Sequence, residues 1–185
     1  MSETPTTEPG TVSMNNAVLA IGGNLGDRLA NLQAAVDSLA DTPNLVITWL
    51  SPVYETAPLL EPDAEPQDDY LNAVVGVATA LPPDMLLMRV HAVEEALGRT
   101  REVHWGARTI DVDIVQFDEL VSADPELTLP HPRAAQRAFV LAPWNDVRPG
   151  DVLVGAGPVG ELLAALGGAA AQGAVRRDDL ELSIS

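Results

Sequence analysis

The stretch Arg108-Thr109-Ile110-Asp111-Val112-Asp113-Ile114-Val115-Gln116-Phe117 sets two carboxylates two residues apart in a run that is otherwise largely apolar and β-branched. On a strand of period two, Ile110, Val112 and Ile114 face one side and Thr109, Asp111 and Asp113 the other, with the two acids about 6–7 Å apart along the backbone. The ordinary explanation of such a pair is a half-exposed strand whose polar face meets water. Here the strand is too apolar to be a solvated edge, and Arg108 with an arginine-bearing loop precedes it. Two converging carboxylates suit a hard divalent cation such as Mg²⁺, which takes one or two carboxylates and completes its shell with substrate phosphates and water. Asp111 and Asp113 are therefore the candidate metal ligands and the candidate catalytic centre.

Charge points the same way. The chain carries 10 cations against 27 acids, a net charge of -17, and every cation is an arginine because lysine is absent. That balance excludes a broad basic surface for gripping nucleic acid. Yet Arg99, Arg101, Arg108, Arg133 and Arg137 fall close together in the chain. General replacement of lysine by arginine explains the missing lysines but not the clustering. Arginine's planar fork of donors matches phosphate oxygens, so the cluster points to a small anionic ligand.

Several familiar schemes drop out. Without lysine there is neither a G-x-x-x-x-G-K-[ST] loop nor the strand lysine of protein kinases. The glycines at 22, 23 and 26 do not fit G-x-G-x-x-G, and no G-x-S-x-G is present. Absence of cysteine removes disulfides and thiolate sites. His91, His104 and His131 lack the spacing of a zinc site, and His91 reads as a surface or boundary residue of a helix. Metal-assisted chemistry on a phosphate ester remains. No stretch approaches the ~20 apolar residues of a membrane span, and the N-terminus lacks the basic start and apolar run of a signal peptide, so a soluble cytoplasmic protein is expected.

The elements that must position these residues follow from local pattern. Residues 1–15 are rich in Ser, Thr, Pro and Glu and read as a disordered tail. Ala17 to Ile21 reads as a strand entering the turn Gly22-Gly23-Asn24-Leu25-Gly26-Asp27. A helix follows, with Leu29, Leu32, Val36 and Leu39 at helical spacing and Asp27 as its cap. Leu45 to Glu55 reads as a strand that Pro52 demotes in part to an edge or bulge. Residues 57–69, with three prolines and five acids, form a loop. Tyr70 to Thr79 is strand-like, and residues 83–97 make a helix striped by Leu86, Val90, Val93 and Leu97 and stopped at Gly98. Helices are also expected near Arg133 to Pro143 and near Val159 to Leu166. The order strand, helix, strand, strand, helix, strand is that of the split βαβ arrangement, an α+β fold with an antiparallel-rich sheet and helices packed on both sides. The expected organisation is one domain over residues 16–170 between the N-terminal tail and a polar C-terminal tail, 171–185.

The strings "AIGGNLGDR", "YETAPL", "DYLNAVV", "HWGARTIDVDIVQF" and "LTLPHPRAAQRAFVLAP", in this order and spacing, closely resemble the 6-hydroxymethyl-7,8-dihydropterin pyrophosphokinase family. The similarity spans roughly residues 17–150, and the W-G-x-R-T-x-D-x-D run together with P-H-P-x-x-x-x-R-x-F is its most specific part. The resemblance implies a ferredoxin-like fold and transfer of the β,γ-pyrophosphoryl group of ATP to the pterin's hydroxymethyl oxygen, releasing AMP, in folate biosynthesis. It implies that Asp111 and Asp113 hold two Mg²⁺ ions bridging the ATP phosphates. Arg99, Arg101, Arg108 and Arg137 match the family's phosphate-binding and loop arginines, with Arg99 and Arg108 counted as catalytic, and His131 matches its nucleotide-contacting histidine. Glu94, Trp105, Thr128 and Ile114 match positions that contact or enclose ATP. The pterin is expected between Tyr70 and Phe139, with Asn72 on its ring edge and Thr56, Ala57 and Leu59 lining the pocket. A flat heteroaromatic ring gains from two aromatic faces, and an amide offers it a donor and an acceptor.

Departures from the family pattern are local. Gly23 stands where serine is usual, Ala57 where some members have proline, the loop from Pro58 to Tyr70 is long and acidic, and the loop from Arg99 to Ala107 is short, which leaves His104 without a settled counterpart. The GGNLGD turn reads as chiefly structural, with Asn24 fixing the backbone near the pterin end. The two loops are the expected lids. No residue stands out as a general base, and the likeness favours a monomer acting on small molecules. Two other readings share these residues: a Mg²⁺-dependent phosphohydrolase with water as nucleophile, and a ferredoxin-like module whose arginines sense a nucleotide without turnover. AMP formation with and without the pterin separates them.

Overall fold

Alternation on one strand organises the molecule. In β1 (Asn15–Gly23), Ala17, Leu19 and Ile21 point to one face of the sheet and Val18 to the other, so each face needs its own cover. The computed structural model describes residues 13–58, 66–98 and 109–184. After β1 come α1 (Arg28–Ala40), β2 (Leu45–Leu50), β3 (Tyr54–Thr56), β4 (Tyr70–Thr79), α2 (Pro83–Ala96) and β5 (Asp111–Phe117). A small hairpin, β6 (Ser122–Ala123) and β7 (Thr128–Leu129), leads through a 3₁₀ turn to α3 (Ala138–Val147). A second hairpin, β8 (Val152–Leu153) and β9 (Gly157–Pro158), precedes α4 (Val159–Ala165), and β10 (Val175–Arg176) closes the chain.

The main sheet runs β10-β3-β4-β1-β5, with β2 also on β4, and all its pairs are antiparallel. Taking β2 and β3 as one broken strand, this is the strand order of the split βαβ arrangement. The stripes of α1 (Leu32, Ala35, Val36, Leu39) and α2 (Leu86, Val90, Val93) cover the face bearing Leu19 and Ile21. The opposite face, with Val18, Val74 and Val115, is covered by Val140, Leu141 and Trp144 of α3 and Val159 of α4. Helices therefore lie on both sides. Asp27 caps α1 as expected, its Oδ1 accepting from the Ala30 N–H at 3.1 Å.

Three differences from the sequence reading have physical causes. The expected strand from 45 to 55 is broken at residues 51–53, where Pro52 cannot donate to a ladder and Ser51 takes over, its Oγ accepting from the Val74 N–H at 2.8 Å. The helix expected at 133–143 begins at Ala138 and runs on to Val147 through Pro143. Burial of Ala138 and of every residue from Val140 to Trp144 outweighs the one hydrogen bond the proline removes. The C-terminal stretch expected as a polar tail contributes β10, and Leu180 and Leu182 pack against the α1 side of the core. At the other end, β1 starts at Asn15, the last residue of the expected N-terminal tail. Among the described residues no helix is long and apolar enough to cross a membrane.

Candidate active site

The sheet brings the candidate residues together by register. One transverse row reads Tyr54, Asn72, Gly22, Asp111 across β3, β4, β1 and β5, and the next but one toward the far end includes Val74, Ala20 and Asp113. All of these face the α3 side, because Val74 belongs to the α3 core and alternation carries Tyr70 and Asn72 with it. Asn72 and Asp111 are thus separated by two strand spacings, roughly 10 Å, with only a glycine between them. The alternation expected for β5 holds: Asp111 and Asp113 are half-exposed while Val112 and Ile114 are buried on the opposite face.

The Asp113 carboxylate is the hub of the anionic end. Arg137 donates to its Oδ2 at 3.3 Å, and His131 Nε2 stands 3.7 Å from the same oxygen. His131 Nδ1 accepts from the Arg133 N–H at 3.1 Å, so the neutral ring carries its proton on Nε2, toward Asp113. Burial is the main influence on His131 and lowers its pKa, with Asp113 pulling the other way and Arg137 reinforcing the burial effect. The Arg137 guanidinium also lies 5.5 Å from the centre of the Phe139 ring. One arginine thereby joins the carboxylate end of the site to the aromatic end. Among the described residues no three His, Cys, Asp or Glu side chains form a self-sufficient metal cage. Asp111 and Asp113 nonetheless fit Mg²⁺, since two hard oxygen donors beside a cationic anchor for phosphate are the donor set that ion takes with a nucleotide.

At the other end, Asn72 and Thr56 are polar yet only 6% and 9% exposed, and the Asn72 Nδ2 donates to Thr56 Oγ1 at 2.9 Å. A Cβ on Gly22 would come within 2.7 Å of the Asn72 Oδ1, so the glycine gives the amide its room. Tyr70 and Phe139 are half-buried, in contrast to the core aromatics Tyr54, Phe117 and Trp144. Asn24 is buried and donates from Nδ2 to the Asp68 carbonyl at 3.0 Å and to Gln67 Oε1 at 3.2 Å, tying the glycine turn to the end of the 57–69 loop. Ala57 is exposed just beyond Thr56.

The structure places three further expected nucleotide residues, Ile114, Glu94 and Thr128, as follows. The Ile114 side chain faces the α1/α2 core, away from the carboxylates. Glu94 is 2% exposed at the end of α2 and accepts the Val112 N–H at 2.8 Å, which anchors the edge strand between its two acids. Thr128 spends its hydroxyl on the Asp124 carbonyl at 2.9 Å within its own hairpin. Leu59, Arg99, Arg101, Trp105 and Arg108 lie outside the described residues. Gly22 was legible only as part of a turn, although the GG pair was its signal. The pairing of Arg28 with Glu55 at 2.8 Å had no signal in the local pattern.

Comparison with known proteins identifies the family. The family model for 7,8-dihydro-6-hydroxymethylpterin-pyrophosphokinase matches residues 18–149. The 2-amino-4-hydroxy-6-hydroxymethyldihydropteridine pyrophosphokinase of Methylorubrum extorquens is 41% identical over 153 residues, covering 83% of this chain and 94% of its own length. Its Bacillus subtilis counterpart is 42% identical over 135 residues, 72% of this chain and 79% of the relative. In fold, the chain resembles wild-type Plasmodium falciparum HPPK-DHPS solved with pteroate, at a TM-score of 0.64 and 17% identity, over 83% of this chain and 44% of that one. From the extent of the family match and these identities, the chain belongs to the 7,8-dihydro-6-hydroxymethylpterin-pyrophosphokinase family.

Proposed function

We propose that the α3-facing side of the sheet, from Asn72 to Asp113, is the reaction centre of a pyrophosphokinase. The chain transfers pyrophosphate from ATP to 6-hydroxymethyl-7,8-dihydropterin in folate biosynthesis, the activity of its family, and its substrates are these small molecules. The observation that carries the site reading is the row Asn72, Gly22, Asp111, which sets a buried, oriented amide and a carboxylate roughly 10 Å apart on one face.

In this reading Asn72, its amide held by Thr56, grips the edge of the pterin, and Tyr70 and Phe139 stack on its faces, with Ala57 and Leu59 completing the wall. Asp111 and Asp113 would hold Mg²⁺, which supplies charge neutralisation on the triphosphate. Arg137 and His131 reach the phosphates from the Asp113 side; Arg99, Arg101 and Arg108 are the further phosphate contacts of this reading and Trp105 its nucleotide contact. Arg137 also braces Phe139, so closing on phosphate and holding the ring are mechanically linked. Glu94 and Ile114 act from behind β5, Glu94 by fixing the strand's backbone. The protein's contribution is alignment of the hydroxymethyl oxygen with the β-phosphorus and stabilisation of charge, rather than covalent chemistry.

We also take the protein to act as a monomer in the cytoplasm without nucleic-acid or membrane partners. The deciding test is a coupled assay for AMP. AMP produced only with ATP, Mg²⁺ and the pterin together supports the transferase, and nucleotide hydrolysis independent of the pterin sinks it.

A further inference from the structure

Beyond residue 149, where the family match ends, the chain wraps an edge of the sheet. Ala174 is buried with Tyr54, Ala138 and Ala142 on the α3 side. Val175 and Arg176 then pair with Glu55 and Tyr54, and the Arg177 N–H donates to the Val53 carbonyl at 2.9 Å. Leu180 and Leu182 pack on the opposite side, where Ser183 and Gln33 of α1 exchange two hydrogen bonds of 3.0 and 2.9 Å. The segment thus passes from one face of the sheet to the other over β3.

β3 is three residues long and carries Thr56, the partner of Asn72. Its charged grip is double. Glu55 is held by Arg177 at 2.6 Å through one oxygen and by Arg28 at 2.8 Å through the other, and Arg28 also donates to the Asp69 carbonyl at 2.6 Å. Asp69 immediately precedes β4 and Tyr70, so Arg28 joins the end of β3 to the start of β4. On the α3 side, Asp146 accepts from both the Tyr54 hydroxyl at 2.8 Å and Arg176 at 2.9 Å. Paired with β4 alone, a three-residue strand would be a marginal element; β10 pairs its other side, and the side-chain contacts fix it from both faces.

We propose that residues 174–183 form a positioning strap for the pterin-binding wall, with Arg177 as its key residue. Through Glu55, Arg177 fixes β3 so that Thr56 holds the Asn72 amide in its binding orientation. The proposal rests on the reading that Asn72 binds the pterin. Its consequence is selective: the strap's contacts lie on β3, α3 and α1 and not on Asp113, Arg137 or His131 themselves, so it acts on pterin affinity and not on ATP.

The experiment uses the full chain with Arg177→Met, Arg177→Lys, Glu55→Gln, the double variant Arg177→Met/Glu55→Gln, and Asn72→Ala as a separate probe of the pocket. Steady-state kinetics should show the pterin KM of Arg177→Met raised about fivefold, the equivalent of roughly 1 kcal/mol, with ATP KM and kcat little changed. Lysine should restore part of the loss, and the double variant should be no worse than the worse single one. An unchanged pterin KM in Arg177→Met overturns the strap. So does a parallel rise of both KM values with a lowered melting temperature, which marks a general stability element. Asn72→Ala separates the two ideas: an unaltered pterin KM there refutes the pocket reading and with it the route through Thr56, whereas a raised value alongside an unaffected Arg177→Met refutes the strap alone.

Discussion

Gly22 and Asn72 face each other across β1 and β4, and the glycine's missing Cβ is the space into which the Asn72 amide projects, 2.7 Å from where that atom would sit. Gly22 has no positive φ and belongs to a regular strand, so the demand on it is for room and not for backbone freedom. Gly22→Ala should therefore turn the amide and break its 2.9 Å bond to Thr56. The expected outcome is a pterin KM raised roughly tenfold, since misplacing a positioning group is costly, with at most about 1 kcal/mol lost in urea unfolding, the lower range for a small overpacking.

The carboxylate pair makes the sharpest functional prediction. Asp111→Asn and Asp113→Asn should each lower kcat by about 10²–10³, the scale of losing one preorganised charge at a reaction centre. The Asp113 pair with Arg137 is partly exposed at 26% and 36%, so stability should change by less than about 1 kcal/mol. Removal of Mg²⁺ by chelation should abolish turnover in the native protein, with activity returning on titration of the ion. A variant with full activity and native folding would refute the role given to the pair.

Glu94 separates support from contact. It accepts the Val112 N–H, which faces away from β1 on an edge strand and lies between the two acids. Glu94→Ala leaves that buried amide without this acceptor at a cost of about 1–3 kcal/mol, readable as a melting temperature lower by about 2–4 °C per kcal/mol. Because β5 loses its anchor, kcat should fall together with stability. Glu94→Gln, which keeps an acceptor oxygen, should recover most of both.

Acid should loosen the wall at Glu55. Burial alone would raise its pKa, but hydrogen bonds from Arg28 and Arg177 outweigh burial and hold it below the usual carboxylate value. The unfolded chain then takes up the proton first as pH falls. The stabilisation is fully present above the unfolded value of about 4.3 and is lost as pH drops through the lower folded one. The difference in unfolding free energy between the native protein and Glu55→Gln should be constant from about pH 7 to 5 and shrink below about 4.3. A difference that grows on acidification would contradict the assignment.

What the sequence determined by itself is whatever depends on local period and local chemistry. The stripes of α1 and α2, the Asp27 cap, the facing of Asp111 and Asp113, and the order of the elements along the chain all follow from neighbours within a few residues. Tertiary structure decided the rest, because cross-strand register and long-range contact leave no periodic trace. It set Gly22 between Asn72 and Asp111. It gave Glu94 to the Val112 backbone rather than leaving it at the surface. It also drew Arg177 to Glu55, 122 positions earlier in the chain, so that a stretch whose composition reads as a polar tail becomes part of the sheet that carries the site. The physical reason is that a short edge strand is stable only once another segment pairs with it, and which segment does so is settled by the folded chain as a whole.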